Sequence, residues 1–490
     1  GQVPDANYCH TCMTDVVLGI DSSTQSTKVE ARILDTGDVV ASASASHPST
    51  TPPVSEQDPT AWWSAVVAAC AQIPPQVRSQ VVAVSVAGQQ HGLVLLDEAG
   101  LPVRPAKLWN DTTSAAEATA LVHATNPDAW ASAIGSLPVA AFTISKLAWV
   151  AHHEPTNLDR VARVLLPHDY LTWCLSGRFV TDRGDASGTG WFDASTDSYR
   201  PELLDLIGID GASWLDRLPT VLGPHESAGP ITPQAASSLG LPDNVVIGPG
   251  SGDNMGAALG LGLNVGDLVM SLGTSGVAYA RSATPTRDAT GAVAGFADAA
   301  GGFLPLVCTL NATKVTDTVA RWLGTDSPGL ADLALAAEPS DVTVVPWFDG
   351  ERMPNRPDAA GSLSGLRTDT TREQLALAAH DGVLCGLFNG VDALAECGVD
   401  ISGTLHLIGG GSRSAAYRQR CADLWARPIA VPHSDETVAT GAAAQAASIL
   451  DGHDLAAVQQ RWGLGASDMV APQGGVDVAA IRGGYAAATE

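Results

Sequence analysis

Positive charge is what this chain has least of. Among its 490 residues, 26 Lys and Arg face 52 Asp and Glu, a formal net charge of −26, and the only lysines are Lys28, Lys107, Lys146 and Lys314. A field of that sign repels polyanions, which argues against nucleic acid or an anionic membrane surface as partner. It leaves room for a small phosphate-bearing ligand, because amides, a metal ion and a few cations can oppose the global field at one cleft. None of the four lysines closes a Gly-x-x-x-x-Gly-Lys loop, so a Walker-type phosphate grip is excluded. No apolar run reaches transmembrane length and no basic leader precedes an apolar core, so the reading is a soluble, cytoplasmic protein. The 8 cysteines are too thinly spread for a disulfide framework and fit a reducing setting. Cys9-His10-Thr11-Cys12 has soft ligands but no second pair, and residues 1–12 read as an extension ahead of Met13. Zinc-protease and nucleophile-elbow motifs are missing too.

What is present is apolar and rich in small residues: 45% hydrophobic and 16% charged, with 50 glycines. That composition fills sizeable cores, and the length favours two domains or more. Val16 to Ile20 reads as a buried strand, a polar turn follows, and Val29 to Ile33 reads as a second strand with another after Asp35-Thr36-Gly37-Asp38. Such an opening is strand–turn–strand, unlike the strand–loop–helix of a dinucleotide fold. Val81 to Ala87 is a further strand, ending in Gly88-Gln89-Gln90-His91-Gly92 at a sheet mouth, where ligand groups commonly reside. A second block starts near Val245: a strand, a glycine-rich loop, a small-residue helix from Asn254 and a hairpin over Leu268 to Ala280. Thr370 and Glu373 have capping-box spacing ahead of an amphipathic helix carrying Leu377, Leu384, Leu387, Val391 and Leu394. Leu405 to Ile408 then runs into Gly409-Gly410-Gly411, and Thr437 to Leu450 is a helix able to pack closely through its alanines. The two hairpins, at 16–34 and 268–280, suggest a duplication: similar lobes facing across a cleft. The tail from Gly452 is weakly patterned.

Phosphoryl transfer needs a neutralised phosphate, an in-line hydroxyl and a base for its proton. Asp21 ends the first strand beside Ser22-Ser23-Thr24, where a carboxylate either orients Mg²⁺ or merely forms an Asx-turn. In Gly250-Ser251-Gly252-Asp253-Asn254 the glycines permit close backbone approach, and Asp253 either accepts a hydroxyl proton or caps the next helix. Asn254 is a ligand hydrogen-bond partner or a first-turn residue. Gln90 and His91 offer neutral groups to a polyhydroxylated substrate, His91 alternatively being a satisfied core-edge residue. Trp109-Asn110-Asp111 is a sugar-pocket wall or a plain strand exit. Thr274 and Ser275 either touch terminal phosphates or belong to a tight turn made by Gly273 and Gly276. The triple glycine admits an adenosine or only a bend.

Gly19-Ile20-Asp21-Ser22-Ser23-Thr24, Ile144-Ser145-Lys146-Leu147-Ala148-Trp149, Gly252-Asp253-Asn254, Ser271-Leu272-Gly273-Thr274-Ser275-Gly276 and Gly409-Gly410-Gly411 occur in order. Together they resemble the FGGY carbohydrate kinases of the actin-like ATPase superfamily, from about Val16 to about Leu450. The resemblance implies an α/β fold of two actin-like (ribonuclease H-like) ATPase lobes around a central cleft. A sugar-binding lobe over 13–248, a nucleotide-binding lobe over 249–450 and a tail at 451–490 packing on a lobe are expected. The implied activity is ATP-dependent phosphorylation of a sugar hydroxyl, that of D-xylulose first, with L-ribulose, glycerol, gluconate or a related polyol as alternatives. An actin-like assembly module is the reading from another class. Asp253 is the implied general base and Asp21 the implied manager of Mg-ATP, the two carboxylates standing at the metal. Gln90, His91, Trp109, Asn110 and Asn254 are the implied sugar contacts. Ser23, Thr24, Gln25, Lys28, Gly273, Thr274 and Ser275 lie at the phosphates, and Gly410 and Gly411 by the adenosine. A homodimer is expected on the same ground. Two departures stand out: Gln90 where methionine is common before the histidine, and Thr113 where an arginine is common.

Overall fold

The computed structural model describes residues 14–450 and 454–490; the 1–12 extension, its Cys-His-Thr-Cys group and Met13 lie outside the described residues. Val16–Ser22, Ser26–Ile33 and Val39–Ser46 form the expected antiparallel meander. The first strand is buried over its whole length because both of its faces are covered. Leu18 and Ile20 join a core with Trp62 and Val66 of helix Pro59–Gln72, whose start Asp58 caps. Gly19 faces the other way, onto helix Thr437–Leu450, so closely that a β-carbon there would stand 1.9 Å from the Ala439 carbonyl oxygen. Val81–Gly88 runs parallel to the first strand on its far side, followed by Val246–Ile247 and the edge pair Gly229–Pro230.

The second half repeats this plan. Leu306–Thr309, Gly276–Ala280 and Leu268–Leu272 form an antiparallel meander, Leu405–Ile408 and Ile429–Pro432 extend it in parallel, and Ser467–Val470 closes the edge antiparallel. Both sheets therefore show the same sequence of pairings: two antiparallel, two parallel, one antiparallel. The duplication expected from the two hairpins is visible as this shared topology. Residues 454–490, weakly patterned in sequence, hold helix Leu455–Arg461, which packs on helix Thr437–Leu450, and helix Val478–Thr489, which packs on strand Thr343–Val345, on either side of that edge strand in sequence.

Two small-residue helices join the halves. Asp253–Gly260 and Thr437–Leu450 cross with backbones almost touching: a β-carbon on Gly441 would sit 1.8 Å from Gly256 O, and one on Gly260 1.9 Å from Thr437 O. One apolar cluster runs through this crossing, from Val17 and Ala83 by way of Ala443 to Val269 and Tyr279.

The capping box of the long helix Arg372–Glu396 lies one residue later than the spacing predicted. Thr371 and Gln374 exchange the two bonds, at 3.3 and 3.1 Å. Thr370 is unavailable because its hydroxyl accepts from Arg367 N at 2.8 Å, closing the preceding turn.

Candidate active site

Both hairpin tips and the glycine-rich loop sit at the same end of the two sheets. Asp21 pairs with Ala87 of the parallel strand, and Ser251 pairs with that same Ala87 on its other side. Two strand spacings, about 10 Å, thus separate the backbones of Asp21 and Ser251, and Asp253 follows two residues later. Asp21 is buried and its Oδ1 has no hydrogen-bond partner. Burial first, then the charge of Asp253, pushes its carboxyl up to about 7. An Asx-turn is not what it forms: Ser23 makes the tip, its N–H and hydroxyl both donating to Ser26 O. Asp253 opens its helix as the residue after the cap, and its Oδ1 accepts from Asn254 N at 2.7 Å and Asn254 Nδ2 at 3.1 Å. Burial raises it to about 6.

Asp253 and Asn254 stand where two cavities meet. The first, about 270 Å³, is lined by Gln90, His91, Trp109, Phe142, Asp253, Asn254, Ser275 and Phe296, among others. Gln90 Oε1 accepts from Asn254 Nδ2 at 2.7 Å, while its Nε2 is buried without a partner. His91 adopts a left-handed backbone, φ 65°, and packs between Phe142 and Phe296 with ring centroids 5.3 and 5.4 Å away. Only a glycine fits at 188 against that ring, since a β-carbon would stand 2.3 Å from its Cε1. Burial, helped by the charges of Lys146 and Arg352, lowers His91 to about 3, so the ring is neutral.

The second cavity, about 240 Å³, continues from Asp253 past Ser271 to Gly409 and Ser412. A third, about 480 Å³, opens beyond it on Gly410, Gly411, Thr313, Ser327 and Tyr417. Gly409, at φ 84°, would drive a β-carbon to 2.7 Å from Leu272 O, which explains a glycine there. The cavities thus follow one another from apolar-and-amide walls, past the Asp253 carboxylate, to a glycine-lined recess.

Other residues singled out in the sequence fall around these cavities. Trp109 lines the first cavity, but its indole is no bare wall: Nε1 donates to Thr24 Oγ1 at 2.9 Å, and Thr24 in turn donates to Gln89 Oε1 at 3.1 Å. The hydroxyl of Thr24 is thus turned toward the first cavity's rim. Lys28 is held by Glu436 at 2.9 Å, and Gln25 lies exposed at the tip. Gly273 and Thr274 lend their carbonyls to the start of helix Thr313–Trp322, the Thr274 residue being exposed, whereas Ser275 lines the first cavity. Asn110 is outside that lining, its Oδ1 buried without a partner. Thr113, in place of an arginine, accepts from Lys107 Nζ at 2.8 Å, and the buried Lys107 also pairs with Glu56 and Asp111, so a cation is still supplied.

Sequence reasoning missed the supports of the Asp253 loop. His168 lies directly under it: Gly250, at φ +81°, would put a β-carbon 2.4 Å from His168 Nδ1. Burial alone would lower His168, but Asp169, Asp182 and Asp185 outweigh it and hold the imidazole at about 9. Buried Gln445 donates from Nε2 to Gly250 O at 2.9 Å and meets Ser85 through its Oε1. Neither shows in a sequence, since one looks like a helix start and the other like an interruption in an alanine run.

The sequence pattern of the N-terminal domain of the FGGY family of carbohydrate kinases matches residues 16–260, and that of its C-terminal domain matches 268–450. A xylulose kinase of Streptomyces coelicolor is 48% identical over 457 residues, 93% of this chain and 92% of that protein. The crystal structure of xylulose kinase from Bifidobacterium adolescentis superposes with a TM-score of 0.84 at 38% identity, covering 98% of this chain and 100% of that one. Plasmodium falciparum glycerol kinase with ADP reaches 0.87 over 97% and 98% at 20% identity, a likeness of fold alone.

Proposed function

Because the chain belongs to the FGGY family of carbohydrate kinases, we propose that it transfers the terminal phosphoryl group of ATP to D-xylulose, giving D-xylulose 5-phosphate and ADP. The observation that carries this reading is the position of Asp253, shared by a cavity walled with amide and aromatic groups and a second cavity that reaches Gly409, beside the recess of Gly410 and Gly411. The sugar lies in the first cavity, with Gln90 Nε2, neutral His91 and Asn254 as hydrogen-bonding groups for its hydroxyls. The nucleotide lies in the recess of Gly410 and Gly411, its phosphates pointing toward the hairpin tips.

Asp253 accepts the proton of the sugar's terminal hydroxyl as that oxygen attacks phosphorus and the bond to ADP breaks. A carboxylate raised to about 6 suits this work, being ionised at neutral pH yet more basic than an ordinary aspartate. His168 and Gln445 hold the loop that aims it. The buried, unpartnered Asp21 Oδ1 and the mutual repulsion of Asp21 and Asp253 are what a divalent cation would relieve. Mg²⁺, which usually takes one or two carboxylates plus substrate phosphates, fits that donor pair and would neutralise charge on the phosphate oxygens. A cytoplasmic site, where ATP is at hand, suits this reading.

The test is a sugar panel of D-xylulose, L-ribulose, glycerol and gluconate, assayed by ADP release, with the phosphorylated carbon read by NMR. D-xylulose phosphorylated at its terminal carbon is the expected result, and a preference for another polyol overturns the substrate. Asp253→Ala should lose about 10²–10⁴-fold in turnover, the scale of general-base catalysis, while still binding ATP. Undiminished turnover would remove Asp253 from the role of base.

A further inference from the structure

In a chain so short of cations, one arginine without an ion pair lines the same cavity as Asp253, its side chain hydrogen-bonded to Cys308. Arg352 lines the first cavity together with Asp253, Gln90 and His91, and it is the only Lys or Arg of that lining among the described residues. Its side chain makes no ion pair among the described residues, in contrast to buried Arg104 and Arg420, which are held by carboxylates.

Its placement is built, not incidental. The preceding residue, Glu351, is buried, and its carboxylate accepts from Leu310 N at 2.5 Å, Asn311 Nδ2 at 3.0 Å and Arg352 N at 2.8 Å. Asn311 Nδ2 also donates to Gly350 O at 2.6 Å. One buried carboxylate thus pins residues 350–352 to the end of strand Leu306–Thr309. In that strand Cys308 pairs with Val277, two residues past Ser275 at the tip of the second hairpin. Arg352 is therefore anchored to the strand that pairs with the second hairpin, in the cavity it shares with Gln90 and His91.

A guanidinium gains little from a neutral sugar, but it pairs strongly, through up to two parallel bonds, with a phosphoryl group. We propose that Arg352 is a catalytic residue that contacts the phosphoryl group as it arrives on the sugar's terminal oxygen, with Glu351 as its positioning residue. The phosphorus–oxygen bond to the sugar forms and the bond to ADP breaks. The hydroxyl proton goes to Asp253, and Arg352 keeps its own protons throughout. It supplies positive charge where negative charge develops, on the acceptor side of the transfer. This inference rests on the phosphoryl-transfer reading of the site.

The test compares wild type with Arg352→Ala, Arg352→Lys and Glu351→Gln, using whichever sugar of the panel the wild type phosphorylates best. Measured are kcat, KM for sugar and ATP, and inhibition by the sugar phosphate. Arg352→Ala should lower kcat about 10²-fold or more, the scale of removing one charge-stabilising group. The sugar KM should stay within about threefold and inhibition by the sugar phosphate should weaken about tenfold. Arg352→Lys should recover part of the lost kcat, and Glu351→Gln should shift the same parameters in the same direction by less. A rise in sugar KM at unchanged kcat would make Arg352 a ground-state sugar contact and overturn the proposal, as would a variant indistinguishable from wild type. A wild type that phosphorylates no sugar of the panel defeats the functional reading itself, so the two failures are separate.

Discussion

Asp21 shows how a single buried charge sets a demand that a ligand must meet. Its carboxyl is raised from the ordinary 3.8 to about 7, so the folded protein keeps a proton that the unfolded chain has already released. The stability this group contributes is complete below about pH 4 and is lost as pH rises toward 7. Asp21→Asn should therefore stabilise the metal-free protein at pH 8, by up to about 4 kcal/mol from a shift of about three units, and change little below pH 4. Urea unfolding in EDTA at both pH values checks this; equal effects at both would remove the titration as the cause. Asp21 and Asp253 were visible as carboxylates among small hydroxyl and glycine residues. Arg352, His168 and Gln445 were not, because each acts on a partner far along the chain, Gln445 on Gly250 and His168 on the same glycine. No local pattern encodes such a pairing.

At the scale of elements, the small residues of Thr437–Leu450 are there for what they allow. Their lack of side chain lets three backbones meet, those of Gly19, Gly256 and Gly441, and so brings the Asp21 strand and the Asp253 helix together. Gly441→Ala should cost about 3 kcal/mol or more, since its new carbon would meet the Gly256 carbonyl at 1.8 Å and backbone cannot step aside as a side chain does. Differential scanning calorimetry reads the loss, and a variant as stable as wild type would show that the crossing can open freely. Close packing of this helix could be read from its alanines, but not which helix and strand it packs against. Thr371 carries the parallel lesson: Thr370–Glu373 and Thr371–Gln374 both satisfy the spacing, and only the Arg367 amide decides between them. Thr371→Ala should cost about 1 kcal/mol by urea unfolding, whereas Thr370→Ala leaves the cap of Arg372–Glu396 intact.

The whole molecule is two copies of one sheet plan with the cavities between them, and that much was foreshadowed by two hairpins of like composition about 250 residues apart. What could not be foreshadowed is the mutual lending of parts. Lys28 of the first hairpin is tied to Glu436 at 2.9 Å, just ahead of helix Thr437–Leu450. The pair is half-exposed and contributes at most about 1 kcal/mol, so it marks a seam more than it fastens one. The helix after it matters far more, since it covers strands Val16–Ser22 and Val81–Gly88 of the first sheet with Ala443, Ala444 and Ala447.

That arrangement has a consequence for biosynthesis. As the chain leaves the ribosome, the strand around Gly19 emerges some 420 residues before the surface meant to lie on it. At roughly 5–20 residues per second, half a sheet waits bare for tens of seconds. Nascent chains stalled before residue 437 should be cut readily by protease within 16–88, and chains released past residue 450 should resist it. Early resistance in the stalled chains would mean that some other segment shelters that face in the interim. A strand whose cover is made some 420 residues after it stays vulnerable until that helix has been synthesised.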